Sequence, residues 1–253
     1  MFVLGIVGSP RKNGRTNRLV EAALEGAASA GAEVRKVYLV DYDIKPFKGA
    51  GGSEEAYSYC PEELSQLCER AEAIVLGAPV YWGDINGLTK DFMDSVRIAN
   101  SNGKPGLGIA IAGGSGKGLL SGVQSIYHFF YHKQMVGVDP TPVSRFNMEA
   151  ALEGLKESGA RLAHMKTVPF EGASRDDRWP EIVAHYATLP YLNGDPVDEF
   201  LMLAGQLVRI ATSDKLAEAR AELDAAHEAL LKGDRAEAGR RAVRCYLLLY
   251  YPG

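Results

Sequence analysis

At 253 residues, 46% hydrophobic and 24% charged, the chain has ordinary globular composition and enough length for one large domain or a domain with an appendage. A formal net charge of −4, with both signs mixed along the chain, leaves no basic footprint for nucleic acid and points to small molecules or proteins as partners. Its apolar termini are too short for a membrane span, and Cys60, Cys68 and Cys245 lack framework spacing, so the expectation is a cytoplasmic protein with reduced thiols and no membrane partner.

Apolar runs recur along the first two thirds. FVLGIV (residues 2–7), EVRKVYLV (33–40), AIVLGA (73–78) and GLGIAIAG (106–113) read as strands, three of them continuously apolar, as parallel strands covered on both faces are. A fifth is expected in MVGVDPTPV (135–143), where Pro140 and Pro142 either confine the paired part to its start or mark an edge. Helical patterns lie between them: TNRLVEAALEGAASAG, PEELSQLCERA with Pro61 opening it, NGLTKDFMDSVRIAN, LLSGVQSIYHFFYHKQM and NMEAALEGLKESGARLAHM. This alternation predicts a doubly wound α/β sheet over residues 1–165.

After His164 the reading is a loop, KTVPFEGASRDDRWP, and then helices only, over 180–253. In DKLAEARAELDAAHEALLK, residues Leu216, Ala219, Leu223, Ala226 and Leu230 make a narrow apolar seam; Gly233 stops it, and Asp234 with Glu237 predicts a capping box for the next helix. Such an extension either covers the core or serves oligomerisation or partner binding.

The chemistry concentrates at GSPRKNGRTN, directly after the first strand. At a strand-to-helix turn of an open parallel sheet, helix N–H groups face the crevice beyond the strand ends and favour an anion. Ser9, Thr16 and Asn17 add side-chain donors, Arg11 adds charge, and Gly8 and Gly14 allow close approach, which together describe a phosphate cradle. Neither G-x-x-x-x-G-K-[ST] nor G-x-G-x-x-G follows that strand, so a mononucleotide suits it better than a nucleoside triphosphate or a dinucleotide. Pro79, Val80, Tyr81, Trp82 and Gly83, after the third strand, offer an apolar and aromatic wall with backbone amides. Gly113, Gly114 and Gly116, after the fourth, offer bare backbone for a flat ring.

In this order and spacing, GSPRKNGRT, APVYWGDINGLTKDFMD and GGSGKG resemble the NADPH-dependent FMN reductases and iron–sulfur flavoproteins of the flavodoxin-like superfamily, over residues 2–165. The resemblance implies a flavodoxin-like doubly wound five-stranded parallel sheet of order 2-1-3-4-5, here with a C-terminal helical extension. It implies that Ser9, Arg11, Asn13, Thr16 and Asn17 hold the FMN phosphate, that residues 79–83 border the isoalloxazine and that 113–116 pass its other side. It also implies a homo-oligomer, dimer or tetramer, with the flavin near a subunit boundary. Two departures stand out. Where iron–sulfur members carry clustered cysteines, this chain has IKPFKGAGGSEEAYSYC and then Cys68, from which no four-thiolate cluster can be built. Arg15 stands where relatives often have Asn or Ser, and either touches the phosphate or bends the loop.

His128 and His132 have metal-ligand spacing without a third ligand, and Ser115 lacks the glycine of a nucleophile elbow, so neither a metal site nor a hydrolase is expected. The resulting expectation is an FMN-dependent NAD(P)H oxidoreductase that passes hydride from the nicotinamide to the flavin and on to a quinone, a flavin or another small acceptor. It names no catalytic side chain, since such transfer needs stacking and orientation more than an acid or base. The alternatives are an electron-transfer flavoprotein reduced by a docked partner, and a flavin-less assembly scaffold.

Overall fold

A computed structural model describes residues 1–49 and 58–251. Residues 50–57, within the stretch where iron–sulfur members carry cysteines, and 252–253 of the expected extension lie outside the described residues.

Five strands pair in parallel: β1 (Phe2–Val7), β2 (Glu33–Tyr38), β3 (Ala73–Tyr81), β5 (Pro105–Ala112) and β6 (Val136–Ser144). Their spatial order is β2-β1-β3-β5-β6, the flavodoxin-like order. A two-residue strand that periodicity does not reveal, β4 (Asp84–Ile85), folds back antiparallel on the end of β3. The central strands are buried except at the start of β1 and the end of β3, which explains their unbroken apolar runs, whereas β2 and β6 are edges. Pairing of β6 continues past both prolines to Ser144 through an irregularity opposite 107–109, where Asp139 takes a left-handed φ of 45°. The prolines therefore mark an edge and do not shorten the strand.

Helices cover both faces. On one, α1 (Arg15–Ser29) and α5 (Met148–Leu162) pack Leu19, Val20, Ala23 and Leu155 against Val3, Val75 and Ile109. Gly26 and Gly159 bring these helices into backbone contact: a Cβ on either would strike the partner's carbonyl, at Lys156 and Ala23 respectively. On the other face lie α2 (Glu62–Arg70), α3 (Gly87–Ser95), α4 (Leu119–His132) and α6 (Trp179–Ala187), which supply Leu64, Phe92, Ile126, Tyr127 and Tyr186.

The remaining helices, α7 (Pro196–Ile210), α8 (Leu216–Leu231) and α9 (Arg235–Tyr250), build a third core with the ends of β5 and α4. A full capping box of Asp195 and Asp198 starts α7. Only half of the box expected at α9 forms: Asp234 accepts from the Glu237 N–H at 3.0 Å, but the Glu237 carboxylate is taken by Arg240 and Arg241. In α8 the buried seam is Ala219, Leu223, Ala226 and Ala229. Among the described residues no helix is long and apolar enough to cross a membrane.

Candidate functional site

The carboxyl ends of β1, β3 and β5 open into one pocket of about 930 Å³, within the usual range for a small-molecule site. Its lining contains Ser9, Arg11, Asn13, Thr16, Pro79, Val80, Tyr81, Trp82, Gly113 and Gly114, together with Lys12, Gly14, Arg15 and Ile111.

The tip after β1 is held open by its neighbours. Gly8 donates to the Gly77 carbonyl at 2.8 Å, while Asn86 Nδ2 and Thr89 Oγ1, both buried, donate to the Gly8 carbonyl at 2.9 and 3.3 Å. This ties the first loop to the one after β3 without filling the space above them. Gly14 is the N-cap of α1, in extended conformation and with no side chain capping the helix. Consequently the first-turn N–H groups of Arg15, Thr16 and Asn17 have no carbonyl within the helix to bond, and the positive end of the helix dipole faces the pocket. Ser9 and Thr16 are buried beside it, and Ser9 Oγ accepts from the Arg11 N–H at 3.2 Å. Three cations line the opening. Lys12 pairs with Asp41 at 2.5 Å, and Arg15 Nη1 donates across the pocket to the Gly113 carbonyl at 3.3 Å. Arg15 therefore bridges two loops, an outcome that neither reading from sequence contained.

Asn17 is placed differently from Ser9 and Thr16. Its Oδ1 accepts from Lys36 Nζ at 2.9 Å and from the Tyr38 hydroxyl at 3.1 Å, so its amide faces β2. Gly83 and Gly116 line an adjoining cavity of about 350 Å³ that shares Val80, Trp82, Gly113 and Gly114 with the main pocket.

Trp82 and Gly83 are the two central residues of the β3–β4 hairpin, with φ of 55° and 92°, both left-handed as a type I′ turn requires. Such a turn favours Asn-Gly, so a tryptophan there is strained. Its side chain is also fully exposed, at 105% of reference, on the rim of the pocket. Strain and exposure of the largest aromatic residue both argue against packing as its purpose.

The glycine loop is braced from behind by the helical extension, a contribution with no local signature in sequence. Glu199 of α7 accepts from the N–H groups of Gly118 and Leu120 at 2.9 and 3.1 Å, capping α4. The buried Tyr246 hydroxyl of α9 donates to the Ser115 carbonyl at 2.9 Å, and burial pushes that phenol well above its ordinary value. Gly116, at φ 87°, is required: a Cβ would stand 2.5 Å from Leu203 Cδ2. By contrast, a Cβ on Gly114 would meet nothing within 4 Å, so the loop's other face is open to the pocket.

The donor set fits a phosphate monoester beside a flat ring: an uncapped helix start with buried hydroxyls at one end, bare glycine backbone and an aromatic wall at the other. FMN has these two parts. The cysteines are inert here: Cys60, Cys68 and Cys245 are free and buried, burial pushing Cys68 up to about 12. Among the described residues no three His, Cys, Asp or Glu side chains gather as metal ligands.

Comparison with known proteins agrees with this geometry. Residues 1–147 match the family model described as NADPH-dependent FMN reductase. The chain is 33% identical over 153 residues to an iron–sulfur flavoprotein of Methanocaldococcus jannaschii, covering 56% of this chain and 79% of that protein. It is 28% identical over 160 residues to an NAD(P)H dehydrogenase (quinone) of Aromatoleum aromaticum, covering 59% of this chain and 77% of that one. The crystal structure of Smu.1420 from Streptococcus mutans superposes with a TM-score of 0.52 at 12% identity over 64% of this chain and all of that one, a likeness of fold. With residues 1–147, more than half its length, matched to the family model and the tips of β1, β3 and β5 meeting in one pocket, the chain belongs to the NADPH-dependent FMN reductase family, an oxidoreductase with FMN as cofactor and a nicotinamide as electron donor.

Proposed function

We propose that the protein moves electrons from NADPH or NADH, by way of FMN in this pocket, to a small acceptor such as a quinone or a free flavin. The reading rests on three strand tips meeting in one pocket whose glycine wall is open at Gly114 and is crossed by the Arg15 guanidinium at Gly113. When bound, FMN supplies the redox centre between donor and acceptor.

The chain's own residues bind, orient and exclude water. Ser9, Arg11, Asn13 and Thr16 would hold the phosphate, with Asn17 joining through its backbone N–H because its amide is committed to Lys36 and Tyr38. Gly113 and Gly114 would lie along the ring, Pro79, Val80 and Ile111 would keep water from it, and Gly83 and Gly116 would bound the space beside it. Tyr81 and Trp82, on the rim, would stack on the incoming substrate. No side chain is given the part of acid or base.

Adding FMN to purified apoprotein should produce a bound-flavin visible spectrum, and anaerobic NADPH should bleach it. A colourless protein after FMN addition, or an undiminished band with NADPH and NADH alike, would end this reading.

We further propose a homo-oligomer, dimer or tetramer, formed over the rim carrying Trp82 or over the helical extension. The bare indole and the exposed Leu231 and Leu247 on α8 and α9 support it. Light scattering on wild type and Trp82→Ser locates the interface, and a monomer in both would refute it.

A further inference from the structure

At the opposite edge of the sheet, below the amino ends of β5 and β6, lies a second cavity of about 370 Å³. Four cations line it: Arg97 after α3, Lys133 at the end of α4, and Arg175 and Arg178 in the segment that enters α6. Among the described residues no carboxylate is part of its lining. Among the described residues Arg97 has one acidic partner, Glu69, whose Oε1 stands 3.8 Å from Arg97 Nε. Asp177, between the two arginines in sequence, accepts from the Ser174 hydroxyl and N–H, both at 2.8 Å, and these bonds, with the Arg178 charge adding to them, hold its carboxyl below the ordinary value.

Like charges gathered around a hollow repel one another, so something must hold them there. The holding contacts are specific. Asn102 exchanges two hydrogen bonds with the backbone of Phe170, at 3.2 and 3.1 Å, and pins the segment that carries both arginines under the sheet. Gln134, buried and in a left-handed conformation at φ 58°, donates to the Arg175 carbonyl at 2.9 Å and accepts from Arg178 Nη1 at 3.0 Å. Lys133 donates to the Val96 carbonyl at 2.9 Å, and burial and Arg175 together push its ammonium below the ordinary lysine value. Arg178 Nε is buried and finds no acceptor among the described residues. A buried guanidinium N–H without a protein acceptor is uncommon, and an anion held in the cavity would satisfy it.

We propose that this cavity is a second ligand site, remote from the FMN pocket, which takes a phosphate-bearing small molecule of about sugar-phosphate size. A tetrahedral phosphate can accept from guanidinium and ammonium groups that arrive from three chain segments, which a planar carboxylate matches less well. The volume is at the low end for organic ligands, so a nucleotide is too large for it.

The test is calorimetric titration of FMN-saturated protein, its cradle already filled, with inorganic pyrophosphate and, separately, citrate. Saturable one-site binding of pyrophosphate is expected, weakened about tenfold or more in Arg175→Gln and in Arg178→Gln, the loss of one charge-assisted pair. Thr16→Ala, in the cradle, should bind pyrophosphate as wild type does. Should Arg178→Gln fail to fold, Arg97→Gln, whose side chain is half exposed, replaces it. Equal pyrophosphate affinity in wild type and the Arg97→Gln, Arg175→Gln double variant would overturn the proposal. So would the absence of both heat and thermal stabilisation at millimolar pyrophosphate, or tighter binding of citrate.

Discussion

Glu199 caps α4 at Gly118: its carboxylate, 81 residues away in sequence, accepts from the Gly118 N–H at 2.9 Å and from Leu120 at 3.1 Å. The negative charge sits where the α4 dipole and its unbonded N–H groups would otherwise attract an anion. One consequence is that the glycine loop between β5 and α4 is set by the helical extension. Another is that α4 offers no free helix start to an anion, whereas α1 does.

Replacing Glu199 by alanine should therefore act on both stability and flavin affinity. Loss of the cap costs about 1 kcal/mol, equivalent to a fall of roughly 2–4 °C in Tm for a chain of this size. FMN titration should show weaker binding, because the loop behind the ring loses its brace. Tyr246→Phe, which leaves the Ser115 carbonyl without its donor, should shift both measurements in the same direction.

Trp82→Gly should give effects of opposite sign. Relief of the left-handed strain at φ 55° stabilises by about 1 kcal/mol, read as a rise in thermal midpoint. With the exposed indole gone, KM for a quinone acceptor should rise. A lower midpoint would show that the turn is not strained, and an unchanged KM would remove Trp82 from the acceptor face.

Thr16→Ala and Arg11→Ala should weaken FMN by about 1.5–3 kcal/mol each, roughly one to two orders of magnitude in Kd. Riboflavin, which has the ring without the phosphate, should bind wild type and both variants alike. Quenching of flavin fluorescence measures all six affinities, and an equal loss for riboflavin would move these residues away from the phosphate.

Lys104 provides a pH test of the fold. It is buried, and its ammonium donates to the carbonyls of Cys68 and Glu69 at 2.7 and 3.1 Å and to Asn100 Oδ1 at 3.0 Å, closing the end of α2. Burial lowers its pKa from 10.5 to about 8 in the folded protein. Between these values the unfolded chain binds more protons than the native one, so the contribution of Lys104 to stability grows as pH rises from about 8 to 10.5 and is lost as pH falls through about 8. Urea unfolding of wild type and Lys104→Met across that interval should show wild type gaining on the variant. Parallel curves would refute the shift.

Much of this protein was legible from residues close together in the chain. Unbroken apolar runs identified the buried strands, Pro140 and Pro142 left an edge as one of two readings of β6, and the density of donors from Ser9 to Asn17 drew attention to the loop that lines the pocket, because strand period, proline geometry and helix-start chemistry all operate over a few residues. What only the tertiary structure decided depends on layers meeting: the Asn17 amide turned to Lys36 and Tyr38 of β2, Arg15 reaching Gly113 across 98 positions, Glu199 capping α4, and four cations from three chain segments lining one hollow. Side-chain partners of this kind follow from how helices seat on the sheet and not from local preference, so no pattern within a single element foretells them.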